Sequence, residues 1–405
     1  MVSQNTKIRL LPDSSAPLTI KLLYQLLSKC KRGRLHITVD AETYLVEGKQ
    51  PGPDANITIH KSLKIIKKLS RDGDIGFAEA YMQGDWDTSN LSDFLYWATL
   101  NLEELSTHLE ANFFIRLFNR LRHITRRNSQ RGSRRNISAH YDLGNDFYQL
   151  WLDSTMTYSS AIFADPSDSL EQAQTRKYEL LLSSLGATPG QHILEVGCGW
   201  GGFAEHAAKQ GYQVTGVTLS TEQLAWGQQR IRDAGFDSLV DLRLQDYREI
   251  EEQFDHIVSI EMFEAVGESY WPGFFEMLFA RLKSGGRIAL QTITIDDQYF
   301  DHYRQNVDFI QRYIFPGGML PSPEIFSQHA QQAGLKIEQA TNYGSHYEQT
   351  VLAWHQGFNE VVHQVEDLGY DNQFIRMWRY YLSYCEAGFR EQHTGVYQYL
   401  MSKPH

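Results

Sequence analysis

The sequence predicts an α/β fold, in which a mostly parallel sheet carries helices on both faces and a smaller N-terminal α+β domain precedes it. Three observations point to this. From residue 190 onward, short apolar runs alternate with segments of helical period, and a βαβ order implies parallel strands joined by helical crossovers. A glycine-rich stretch, ILEVGCGWGG over residues 193–202, separates the first of these runs from the next helix. The first hundred residues follow a different order, with two alternating segments ahead of two amphipathic helices.

In chain order, His192–Val196 is a short apolar strand, followed by the glycine turn and a helix to Gln210. Tyr212–Val217 reads as a second strand. Ser220, whose hydroxyl can accept from a helical N–H, caps a helix reaching Ala234. Leu239–Leu244 and Phe254–Ile260 are strands, Ser269–Leu282 is a helix, and Arg287–Ile293 is a strand after a Gly285-Gly286 turn. In the N-terminal region, Leu35–Val46 and Asn56–His60 alternate as strands do. Ser62–Leu69 and Leu91–Leu105 read as amphipathic helices, with a stretch rich in Gly, Asp and aromatic residues over 73–95.

A chain of 405 residues suggests two or three domains. Composition divides it into residues 1–105, a basic linker over 106–135, and residues 136–405 with the glycine turn. Hydrophobic residues make up 42%, enough for a large core, and the net charge of -11 argues against a nucleic-acid partner. No apolar run approaches the roughly 20 residues that cross a bilayer. Lys7 and Arg9 are not followed by the apolar block of a secretory signal. Cys30, Cys198 and Cys385 lie far apart and without metal spacing, which suits a cytoplasmic protein with reduced thiols and no metal site.

The linker breaks the acidic average. Arg116, Arg120, Arg122, Arg126, Arg127, Arg131, Arg134 and Arg135 occur in a run with no acid between Asn112 and Tyr141. Phe113, Phe114, Leu117, Phe118 and Leu121 share helical spacing beside the first of them. A basic amphipathic helix followed by a basic linker suits an anionic membrane surface through residues 113–135. A solvated linker helix packed on the body is the plainer reading of the same pattern.

The glycine turn points to a nucleotide-type ligand. A dinucleotide would need G-x-G-x-x-G and an acid ending the second strand, but here the loop reads G-C-G-W-G-G and Val217-Thr218 ends that strand. S-adenosylmethionine carries no phosphate, and its zwitterionic methionine part needs backbone polar groups and an acid. Glu195 stands just before Gly197, Gly199 and Gly201, and Asp246 and Tyr247 follow the third strand, where a polar group and a ring can hold adenine. The residues therefore favour the sulfonium cofactor.

Several longer segments resemble the cyclopropane fatty acid synthase family, in order and spacing. They are HYDLGNDFYQLWLD (140–153), MTYSSAIF (156–163), LEVGCGWGG (194–202), GVTLSTEQ (216–223), LQDYR (244–248), MFEAVG (262–267) and YIFPGGMLPS (313–322). The similarity runs from about residue 70 to 395, and the family includes bacterial cyclopropane synthases and mycolic acid methyltransferases. It implies a class I methyltransferase domain, a Rossmann-like sheet of seven strands with the last antiparallel. It also implies that residues 1–105 form a lipid-interacting domain.

Carried over by position, the resemblance places S-adenosylmethionine on Tyr158, Ser159, Glu195, the loop to Gly201, Thr218, Gln223, Asp246 and Tyr247. It implies a reaction centre of Glu264, Tyr347, Gln291, Ser160 and Ile293, with a bicarbonate ion among them as base. Three positions depart from the family pattern. Ser160 stands for a cysteine, Gln291 for a histidine, and Ala265 for a histidine that often follows the active-site glutamate. Glutamine donates hydrogen bonds but carries no charge and does not titrate. Weak dependence on bicarbonate is therefore expected, with Glu264 the only obvious carboxylate.

The implied reaction methylates a carbon–carbon double bond in an unsaturated phospholipid acyl chain and leaves a carbocation there. Aromatic faces can stabilise such a cation, and Tyr158, Phe263, Tyr299 and Tyr313 are candidates. Loss of a proton from the new methyl closes a cyclopropane, whereas loss from an adjacent carbon leaves a methylated alkene, so the position of the base decides the product. Ring closure is the expected outcome, with methylation alone as the alternative. A catalytically silent lipid-binding protein and a methyltransferase of soluble small molecules are the competing readings. The expected location is the inner face of the membrane, peripherally bound from the cytoplasm; the sequence admits a homodimer.

Overall fold

The computed structural model describes residues 8–9, 18–40, 42–109 and 143–404. The arginines of residues 113–135, and His140 and Asp142 of the HYD motif, lie outside them. The chain forms two compact units, Met1–Leu121 with Glu366–Glu391, and Arg122–Val365 with Gln392–His405.

In the first unit, five strands form one sheet: β1 (Ile8–Arg9), β2 (Arg32–Val39), β3 (Glu42–Glu47), β4 (Gln50–Ile59) and β5 (Trp86–Asp87), in the order β1-β3-β2-β4-β5. The segment read as one strand over 35–46 is a hairpin, because Asp40 takes a φ of 53° and reverses the chain so that Leu35 faces Val46. The stretch over 73–95 is less irregular than its composition suggested. The helix Ser62–Met82 continues through it with a kink at Gly73 (φ 61°, ψ -136°). The helix Leu91–Leu100 follows, capped by Asn90, whose side chain accepts from the Asp93 N–H.

This unit also takes a late piece of the chain, the helix Asn372–Arg390, which the sequence reading left in the domain over 136–405. Ser92 donates to the Glu386 carboxylate, and the Arg376 guanidinium lies 4.0 Å from the Tyr81 ring centre while donating to the Tyr81 and Trp86 carbonyls.

The second unit is built on seven strands: β6 (His192–Val196), β7 (Gln213–Thr218), β8 (Val240–Leu244), β9 (Phe254–Ile260), β10 (Leu282–Ile295), β11 (Lys336–Asn342) and β12 (Thr394–Ser402). Their order is β11-β12-β10-β9-β6-β7-β8. Strands β6 to β10 pair in parallel, and β12 runs antiparallel to both β10 and β11. Alternation explains why the central strands place apolar residues on both faces. Leu194, Ile257 and Ile288 pack to one face with Trp271, Phe274, Phe275 and Phe326. Ile193, Val258 and Ala289 pack to the other with Tyr178, Leu181 and Phe203. Gly285 and Gly286 interrupt β10 as a register shift between Leu282 and Arg287, not as a turn before it. Ligands of such sheets bind at the carboxyl ends of the strands, and the glycine loop, Thr218 and Glu261 all stand there.

Candidate functional site

Strand β6 ends in the glycine loop. Gly197, Gly199 and Gly201 have φ of 86°, 50° and 78°, and the N–H groups of Gly197 and Cys198 both donate to the Val217 carbonyl at 3.0 Å. Among the described residues, a Cβ on Gly199 would meet nothing within 4 Å. A Cβ on Gly197 would lie 2.6 Å from Met262 Cγ. The constraint at 197 is therefore protein packing and backbone conformation.

Glu195 is 3% exposed, and its Oε2 is buried without a hydrogen-bond partner among the described residues. Burial pushes its carboxyl well above the usual range, opposed by the cation of Lys177. An orphaned buried carboxylate oxygen beside the glycine loop fits the ammonium of a bound amino acid. Thr218 donates to Gln223 at 3.2 Å and accepts from the Ser220 N–H, so these predicted contacts stand together at the end of β7. Asp246 is wholly buried and both its oxygens accept from Arg248, at 2.8 and 2.6 Å. Its carboxylate is thus committed within the protein, whereas the neighbouring Tyr247 packs edge-on to Phe274.

The Tyr-Ser-Ser segment supplies the opposite wall. Tyr158 lies among Tyr148, Trp151 and Trp354, with ring centres 5.4, 5.6 and 5.1 Å away. Trp354 in turn packs edge-on to Tyr347 at 5.9 Å. Of the other rings proposed from sequence, Phe263 is locked in the core by Trp271, Phe274, Phe275 and Phe326. Tyr299 packs on His393, and Tyr313 on Phe309. The aromatic wall is therefore Tyr158 with Tyr148, Trp151 and Trp354 around it.

Ser159 accepts from Lys177, an ammonium that is 0% exposed and also donates to Gln174 Oε1 at 2.7 Å. Burial pulls its pKa down to about 7, against the carboxylates of Glu261, Asp153 and Glu195.

Ser160, Gln291 and Tyr347 meet on a residue that sequence reasoning missed. The Ser160 N–H and Gln291 Nε2 each donate to Glu261 Oε1 at 2.8 Å, and the Tyr347 hydroxyl donates to Oε2 at 2.8 Å. Gln291 is itself aimed by Gln398, which donates to its carbonyl oxygen at 2.9 Å. Glu264 is therefore not the only carboxylate here. It accepts from the Ile293 N–H through Oε1, and its Oε2 is buried without a partner among the described residues. Burial and the neighbouring Glu261 push the Glu264 carboxyl up to about 8. The signal for Glu261 was available: it directly follows the apolar run Phe254–Ile260, at the strand end where ligands bind. Lys177 had no such signal, since a lysine on an amphipathic helix reads as solvated.

The mycolic acid cyclopropane synthetase family model matches residues 128–399. The tuberculostearic acid methyltransferase UfaA1 of Mycobacterium tuberculosis is 38% identical over 361 residues, covering 85% of this chain and 83% of its own. The cyclopropane-fatty-acyl-phospholipid synthase of Escherichia coli is 35% identical over 353 residues, covering 85% of this chain and 87% of its own. Among solved structures, the mycolic acid cyclopropane synthase CmaA1 complexed with SAH and CTAB superposes with a TM-score of 0.64 at 31% identity, covering 67% of this chain and 98% of its own.

Proposed function

From the premise that this chain belongs to the mycolic acid cyclopropane synthetase family of S-adenosylmethionine-dependent methyltransferases, we propose that it methylates the double bond of unsaturated phospholipid acyl chains. Cyclopropane formation is one product and a methylated alkene the other. The observation that carries this reading is the continuous path from Tyr158 through Trp354 and Tyr347 to Glu261. It joins a wall of rings to a carboxylate.

The cofactor supplies an electrophilic methyl group on a positively charged sulfur. Glu195, with its orphaned oxygen, holds the ammonium end, and Thr218 and Gln223 border the same strand ends. Tyr148, Trp151, Tyr158 and Trp354 exclude water and offer π faces to a developing cation. A trapping nucleophile is kept out: Cys198 is buried and burial pushes its thiol pKa well up. Glu261, Glu264 and Tyr347 remain to receive a proton.

Two considerations support a phospholipid-borne chain. Few residues follow 399, so a match over 85% of this chain extends well N-terminal to residue 128, into the first unit. CmaA1, by contrast, covers only 67% of this chain. Residues 1–105 would present the membrane-held chain, with the arginines of 113–135 holding the enzyme on the inner, anionic face of the membrane. The name of the first relative, a methyltransferase, and Gln291 in place of a histidine favour methylation without ring closure as a second reading.

Mass spectrometry of phospholipids from a host expressing the chain tests the reaction. One added CH2 per unsaturated chain is expected, and NMR then assigns ring or branch. Unaltered phospholipids with a methylated soluble metabolite would remove the lipid assignment. For the membrane, reversing the charge of Arg116, Arg120, Arg122 and Arg126 should weaken binding to anionic vesicles, each basic residue contributing about 1 kcal/mol. Full vesicle binding by that variant at low salt would leave the segment as a linker.

A further inference from the structure

We propose that Glu261 is a built-in base, its carboxylate standing where the family resemblance calls for a bicarbonate ion, so that turnover requires no added anion. The inference rests on the acyl-chain methylation described above.

Three donors from three separate segments converge on this one carboxylate: the Ser160 N–H, the Gln291 amide and the Tyr347 hydroxyl, each at 2.8 Å. They are three of the five groups that the resemblance assigns to holding the anion. A fourth, the Ile293 N–H, donates to Glu264. These donors are therefore already engaged by carboxylates of the chain. The backbone bends to achieve this: Glu261 has a φ of 50°, a conformation that side-chain-bearing residues rarely adopt. Its N–H is pinned to the Gln291 carbonyl at 2.8 Å, which fixes the start of the side chain on the strand that carries one of the donors.

The charge arrangement suits a base. Burial raises both the Glu261 and the Glu264 carboxyls above the usual range, and Glu261 adds its repulsion at Glu264. Glu264 is pushed up to about 8 and keeps its proton. Glu261 takes the charge, since the Ser160 N–H, the Gln291 amide, the Tyr347 hydroxyl and the Lys177 cation all favour its ionised form. Lys177, buried behind Ser159, adds an attractive cation.

The step balances without an external oxidant or anion. The alkene π pair forms the new carbon–carbon bond as the sulfur–methyl bond breaks, and the sulfur keeps that bond's electrons. Glu261 then accepts a proton from the cationic chain. The released C–H pair closes a ring if the proton leaves the new methyl, or forms a double bond if it leaves a neighbouring carbon. Glu261 afterwards returns the proton to solvent.

Two variants of the full-length chain test this. Glu261→Gln keeps the shape and removes the base, so methylated-lipid formation should fall by about 100-fold or more, with S-adenosylhomocysteine affinity by calorimetry retained. Glu261→Gly relieves the left-handed backbone and frees the three donors. Titration with 13C-bicarbonate, followed by NMR, should show binding to Glu261→Gly and none to the parent protein. Added bicarbonate should restore turnover to Glu261→Gly while leaving the parent unaffected. Bicarbonate binding by the parent, or marked stimulation of its turnover in carbonate-depleted buffer, would overturn the proposal. So would full activity of Glu261→Gln. Should the parent bind S-adenosylhomocysteine yet methylate no lipid, the acyl-chain reading fails by itself, and the bicarbonate titration still decides whether Glu261 fills the anion site.

Discussion

Calorimetry on a Gly197→Leu variant is expected to show no measurable binding of S-adenosylhomocysteine under conditions where the parent protein binds it. At a φ of 86° the new side chain meets a strained backbone, a cost of about 1–3 kcal/mol by itself. Its Cβ would also lie 2.6 Å from Met262 Cγ and 2.7 Å from Met262 Cβ. Met262 has little room to retreat, because the next residue, Phe263, is locked among four aromatic side chains of the core. The glycine loop must yield, and its two N–H bonds to the Val217 carbonyl go with it. A loss of affinity of about 100-fold or more corresponds to roughly 3 kcal/mol. Retained affinity would show that the loop does not hold the cofactor.

Lys177→Met is the variant in which the greatest loss of stability is expected, about 3 kcal/mol or more. Methionine fills similar space but leaves Gln174 Oε1 and Ser159 Oγ without their buried donor, and Glu195 and Glu261 without the nearby cation. The pH dependence separates this from simple loss of packing. The unfolded chain holds the lysine proton up to the ordinary value of 10.5, the folded chain only to about 7. The folded pKa is thus depressed, so the lysine's contribution is fully present above 10.5 and is lost as pH falls through 7. Denaturant unfolding at the two ends of that window should show the gap between parent and variant widening as pH rises. A gap independent of pH would mean that Lys177 is not the titrating group.

Much of the catalytic unit was legible in order and type. His192–Val196 and Phe254–Ile260 match β6 and β9 residue for residue, because strands buried on both faces are rich in apolar residues. Ser220 caps its helix as a local side-chain rule dictates, its hydroxyl accepting from the Gln223 N–H. The N-terminal region was less legible, since a hairpin at Asp40 and a kink at Gly73 depend on single φ values that composition does not encode. At the site, Ser160, Gln291 and Tyr347 converge on Glu261, which sequence reasoning did not single out. Tyr347 answers Glu261, where sequence reasoning had set it beside Glu264.

The sequence by itself determined the cofactor class and the family. A glycine turn between a strand and a helix, with Glu195 ahead of it and no strand-end acid after Val217, is a local arrangement that survives in any packing. Tertiary structure alone decided how the second half of the site is wired. Residues 160, 261, 291 and 347 come from four distant segments, and the register of β10 against β9 and β12 brings Gln291 beside Ile260 and Gln398. That register, together with the left-handed turn at Glu261, fixes which polar groups meet in the buried site, and a buried carboxylate is stable only where its donors are.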